Sequence, residues 1–174
     1  SGIKVMSDQI IGLHEWFDSP PGRYLLAWEQ ARFDEAVANI FGYHSLQLGM
    51  PLLDGLRANR MPHQWLAMGQ EAVEGSIAFV ETGGVDGPLQ RRAVDLLTEP
   101  VALPFPAASL DLLVLPHTLE LSIDPHAALR EVERVLVPEG RVVISGLNPT
   151  SLWGLRQRRA RLYQRLGRGN LYLP

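Results

Sequence analysis

Four side chains in one short stretch have the chemistry to act on something: His117, Glu120, Asp124 and His126. His and carboxylate at such spacing can hold a zinc or iron ion, which needs three or more ligands converging on one point. Asp124 is better explained as a helix cap, because Pro125 follows it at a first helical position. No metal site is therefore expected. His117 is the candidate catalytic group, a base or substrate contact whose ordinary pKa lies near neutrality. The alternative is a hydrogen-bonded structural histidine, and the two weigh equally. A second place of interest is Gln47-Leu48-Gly49-Met50-Pro51, where a short strand runs into a glycine turn. Gln47 and Gly49 there could grip a ligand, or the segment could be an ordinary strand–turn junction.

Other chemistries are excluded by what the chain lacks. Without Cys there is no disulfide, thiolate zinc site or cysteine nucleophile. Lys4 is the sole lysine, so a phosphate-binding loop or a Schiff-base enzyme has no lysine to use. No Gly-x-Ser-x-Gly elbow is present. The 174 residues are 46% hydrophobic with a net charge of −3, which suits one domain with a sizeable core. No apolar run approaches the roughly 20 residues needed to span a bilayer. A cytoplasmic protein is expected. Ser1–Val5 looks foreign to an Arg-rich chain, and Met6 suits a native start.

The elements that must position these groups follow from periodicity. Leu110–Leu115 is a short apolar run, fitting a strand buried on both faces of a parallel sheet. Pro125–Leu136 is a helix with Ala128, Val132, Val135 and Leu136 facing inward. Pro138-Glu139-Gly140 ends it, and Arg141–Ser145 is the next strand. Further strands are expected near Tyr43–Leu48, Trp65–Met68 and Ala93–Leu97, and Gly75–Val80 could be another. Residues 6–40 read as N-terminal helices, the second covering Arg23–Ile40 after a turn at residues 18–22. Leu26, Phe33, Val37 and Ile40 form its apolar face, with Glu29, Arg32, Asp34 and Glu35 elsewhere. Trp16, Trp28 and Phe33 read as core rather than as a lid. Leu52–Asn59 suits another helix. In an α/β sheet of this kind ligands bind at the carboxyl ends of the strands, which puts Pro116, His117, Glu120 and Gly146–Asn148 at the site.

The segments LPFPAASLDLLVLPHTLE and DPHAALREVERVLVPEGRVVIS together resemble the second half of class I S-adenosylmethionine-dependent methyltransferases. Glu131, Arg134, Val135, Leu136, Pro138 and Gly140 are in register with that family's pattern, and Glu139 stands where its first turn glycine is usual. The resemblance covers roughly the last third of the chain and implies a Rossmann-like α/β fold and S-adenosylmethionine as cofactor. It implies that Gln47, Gly49, Gln70, Glu99 and Pro116 line the cofactor site, Glu99 reaching the adenine amino group. The family's Asp-x-Gly-x-Gly-x-Gly loop is altered: only Gly49 survives, Gln47 brings no charge, and Pro51 removes a donor and should push Met50 toward extended geometry. Asn148 and Trp153 resemble substrate-side loop residues.

Residues 41–174 would then be a methyltransferase-like domain lacking the family's last two strands, its fifth strand left as an exposed edge that a second copy could cover. The Arg-rich end reads as a helix with Leu152, Leu155, Leu162 and Leu166 on one face. Nucleic acid could meet it through Arg156, Arg158, Arg159 and Arg161. The expected function is methyl transfer to a small or macromolecular acceptor. The alternative is a non-catalytic module of the same fold that binds a ligand or recruits a partner.

Overall fold

A computed structural model of the protein describes residue 17 and residues 19–69, 94–147, 160–166 and 170–172. Among these residues, seven strands form one sheet in the order β3-β2-β1-β4-β5-β6-β7. They are β1 His44–Leu48, β2 His63–Met68, β3 Leu96–Leu97, β4 Leu110–Pro116, β5 Leu136–Leu147, β6 Ala160–Leu166 and β7 Asn170–Tyr172. The first five are parallel neighbours. Helix α1 spans Pro20–Val37 and helix α2 spans Pro125–Val135.

The two helices cover opposite faces, and β4 shows how its sequence arranges this. Its side chains alternate, so Leu112 and Val114 join the core under α1 with Phe33, Val37, Met50, Leu53 and Leu56. Leu113 and Leu115 join the other core, with Val132 and Val135 of α2. Asp124 caps α2 as expected, its carboxylate accepting from the Ala127 N–H at 2.8 Å. Glu131 and Arg134 explain why their spacing matters. Arg134 chelates Glu131 and donates to the Phe105 and Leu103 carbonyls, each at 2.9 Å, while Glu131 accepts from the Leu103 N–H. Together they fasten the Leu103–Pro106 loop that feeds β4. The Arg134 pairing is the main reason the Glu131 pKa is lowered to about 2.

Several expectations change. Helix α1 starts earlier than expected, because Ser19 caps it by accepting from the Gly22 N–H and Pro20 occupies the first turn. Phe33 is core, whereas Trp28 is 39% exposed beneath the Arg32 guanidinium. Residues 52–59 form turns instead of a helix. Side chains from outside the segment satisfy its backbone: Gln30 bonds both N–H and C=O of Asp54. Asn59 folds back to donate to the carbonyls of Val37, the last residue of α1, and of Ile40 just beyond it.

The expectation of a helix and a bare fifth strand at the Arg-rich end also gives way. Strand β6 pairs antiparallel along β5 from Val142 to Leu147, and β7 pairs antiparallel with β6. The error has a simple source: Leu162 and Leu166, four residues apart, share a face in a strand as well as in a helix. With that edge covered, the argument for a second copy there falls. Gly75–Val80 lies outside the described residues.

Candidate functional site

Strand order reverses direction between β1 and β4, so the crevice at their carboxyl ends is the topological switch point. Three turns meet around it. At the end of β1, Gly49 has φ +79° and Met50 φ +50°, so the residue before Pro51 is left-handed rather than extended. At the end of β4, His117 has φ +55°. Left-handed backbone at non-glycine residues costs of order 1 kcal/mol, and two such residues flank this one crevice. Thr118 bridges them, its hydroxyl donating to the Leu48 carbonyl at 2.5 Å. The third turn follows β2, where Gly69 approaches the Glu99 carboxylate closely enough that a Cβ would sit 3.4 Å from it. That carboxylate is exposed and makes no hydrogen bond or ion pair among the described residues.

His117 is fully buried and held on both sides. Its Nε2 meets the Glu29 carboxylate at 2.9 and 3.1 Å, and its Nδ1 meets Glu120 at 2.6 Å. The Phe17 ring packs against it in a T-shaped arrangement, with centroids 5.3 Å apart. Burial is the largest single influence and opposes charging. Hydrogen bonds and charge attraction from Glu120 and Glu29 together outweigh it, and the imidazole pKa is pushed up to about 9. At neutral pH both ring nitrogens therefore carry protons and donate. That corrects the catalytic assignment, since an imidazolium of this kind has no lone pair with which to take a proton.

Gln47 is corrected as well. It lies on the α1 face of β1, fully buried, and its amide donates to the carbonyls of Gly49, Met50 and Leu53 while accepting from the Gly55 N–H. The side chain shapes the loop from inside and has nothing left for a ligand. Pro116 closes β4 and is buried, paired with Ser145. Ser145 Oγ is buried without a hydrogen-bond partner among the described residues, and the Ser145 carbonyl accepts from the His117 N–H. Gly49, Glu99, Pro116 and His117 thus come to the carboxyl edge, while Gln47 turns away. Gln70, Asn148, Trp153, Arg156, Arg158 and Arg159 lie outside the described residues, and Arg161 falls in β6.

Glu29 was missed by sequence reasoning. It belongs to the buried stripe of α1 with Phe33 and Val37, at intervals of four. A glutamate on that stripe needs a buried partner, and this was the available signal. Among the described residues no group of three or more His, Asp or Glu converges as a metal site, and no helix is long and apolar enough to cross a membrane.

Comparison with known proteins agrees with this architecture. Residues 63–144 match the family described as "Methyltransferase domain". The uncharacterized protein YafS of Escherichia coli (strain K12) is 31% identical over 143 residues, covering 82% of this chain and 51% of its own. Among solved structures, a chain from the complex of the Haloferax volcanii Trm112 methyltransferase activator with its proposed methyltransferase superposes with a TM-score of 0.52. It is 22% identical and covers 76% of this chain and 57% of its own. A SAM-dependent methyltransferase from Aquifex aeolicus gives a TM-score of 0.49 at 18% identity, covering 82% and 73%. The chain spans about half the length of the curated relative it matches. Parallel sheet, crossover helix, loop fastener and the matched segment agree with a class I methyltransferase fold.

Proposed function

We propose that this domain binds S-adenosylmethionine at the carboxyl edge of β1, β2 and β4 and transfers its methyl group to an acceptor. The observation that carries the reading is the Glu99 carboxylate, which stands beside Gly69, close to the ends of β2 and β3, with no protein partner among the described residues. An exposed acceptor there suits an exocyclic amine of a purine. Gly49 supports it, since the left-handed turn lets backbone come close to a ligand and a Cβ there would meet only Thr118 Oγ1 at 3.4 Å.

The fit is uneven along the cofactor. The nucleoside end finds Glu99, Gly69 and Gly49. The amino-acid end finds less, because the Gln47 amide is consumed by its own loop, the Met50 side chain points into the core, and Pro51 has no N–H. Two backbone bonds fewer, at about 1 kcal/mol each, imply affinity roughly tenfold to hundredfold below that of an intact glycine loop. When bound, the cofactor supplies an electrophilic methyl carbon on a sulfonium. The chain's own part is alignment: the β4 exit, fixed by His117 and Thr118, sets the floor on which donor and acceptor meet. An acceptor already nucleophilic at neutral pH would need no base, which suits a protonated His117.

The inward Gln47 favours a second reading, a ligand-binding or partner-recruiting module of the same fold. Calorimetric titration with S-adenosylhomocysteine tests the first. Binding at micromolar to submillimolar concentration, weakened by Glu99→Ala, supports it. No heat and no thermal shift at millimolar ligand would replace it with the second.

A further inference from the structure

The buried ion cluster around His117 does more than fill space, because it joins the helix covering one face to the crevice at the sheet's edge. Glu29 comes from α1, His117 from the β4 exit, and Glu120 from the loop that follows. No other ionisable side chain among the described residues bonds the ring, and Phe17 adds an uncharged T-shaped contact. The next residue, Thr118, holds the Leu48 carbonyl and contacts the Gly49 turn. His117 itself sits in a left-handed conformation that needs outside support. A well-packed apolar pair would stabilise a helix–sheet contact at least as well as a buried ion pair does. The charged version makes the contact directional, fixing the ring, and with it the backbone that carries Thr118.

We propose that Glu29 is a positioning residue for the ligand crevice, acting through His117 to set Thr118 and the Gly49 turn, so that the crevice grips its ligand only when α1 is docked and the cluster is intact. This rests on the proposed function for the identity of the ligand, though not for the coupling itself. Removing the charge on Glu29 frees the ring, the β4 exit relaxes, and the Leu48–Thr118 bridge loosens.

The test uses the full chain with S-adenosylhomocysteine as probe. Glu29→Gln should weaken calorimetric affinity roughly tenfold at pH 7. In the wild type the affinity should fall as pH rises through the titration of the His117 imidazole signals, and in the variant that fall should move to lower pH. Glu131→Gln serves as control: it weakens a fastener on the α2 face of the sheet, opposite Glu29, and should leave the affinity unchanged. Without ligand, the amide resonances of Gly49 and Thr118 should follow the His117 titration in the wild type. Equal losses of affinity in Glu29→Gln and Glu131→Gln, or Gly49 and Thr118 signals that stay still while His117 titrates, would overturn the coupling. If Glu29→Gln does not fold, the wild-type pH series decides by both readouts. If the wild type binds no S-adenosylhomocysteine, the methyltransferase reading falls, and the Gly49 and Thr118 signals alone decide the coupling.

Discussion

Raising the pH from 6 to 10 should strip this protein of a large part of its stability through His117. The folded imidazole has a pKa of about 9 against an ordinary 6.5. Between those values the folded state holds a proton that the unfolded chain has released, so stability falls as pH rises. The contribution is complete below about pH 6.5 and is lost as pH climbs through about 9. At 1.36 kcal/mol per pKa unit, the shift corresponds to about 3 kcal/mol. His117 and Glu29 are fully buried, so solvent screens their interaction little. Domains of this size are commonly stable by about 5–15 kcal/mol, so the loss should be plain in urea unfolding at pH 6, 7.5, 9 and 10. His117→Gln supplies the baseline: it should start less stable at pH 6 and decline far less, and subtracting its curve removes the other titrating groups. A wild type whose stability is flat to pH 9.5, or a His117→Gln curve parallel to it, would show that the ring is not charged in the fold.

Three further substitutions have defined outcomes. Glu131→Gln should cost about 1–2 kcal/mol in unfolding free energy at pH 7, by weakening a chelated arginine and a backbone contact. Because Glu131 is shifted down to about 2, the wild type should lose that margin as pH falls from about 4.5 through 2, and the variant should not. Gln47→Glu, which places an acid at the end of β1, should destabilise by about 2 kcal/mol or more by chemical denaturation, since a carboxylate would face three carbonyls that now receive N–H donors. Its affinity for S-adenosylhomocysteine should not improve. Ser145→Ala should leave the melting temperature of the ligand-free protein unchanged or raise it, because it deletes a buried hydroxyl that has no partner among the described residues.

What could be read from residues alone was the part governed by local rules. The apolar run of β4, the Asp124-Pro125 start of α2 and the Glu131–Arg134 spacing each follow from contacts within one strand–helix–strand unit and the loop that leads into it. The misses came where distant partners decide. Glu29 looked like a surface charge until His117, 88 residues away, was seen to need it. Gln47 looked like a ligand contact because strand-end polar residues often are, yet four backbone groups of its own loop use its amide. Residues 52–59 have helical composition, but Gln30 and Gln47 offer their backbone a better arrangement. At the Arg-rich end, a four-residue spacing served two periods at once.

Strand β1 has seams of very unequal reach. It joins β2 through pairs such as His44 with His63, and β4 through pairs such as Ser45 with Leu112. Closing the longer loop costs only about 1 kcal/mol more entropy, by the logarithmic dependence on loop length. In time the difference matters more, because contacts between distant parts of a chain form late and slow the search. The β1–β4 seam is also the one whose end makes the crevice. A chain caught midway, with its hairpin β6–β7 and its α2 crossover already assembled, would have most of its regular structure and no place to hold a ligand. Ligand present during refolding should therefore leave the early phases untouched and act only after the last one.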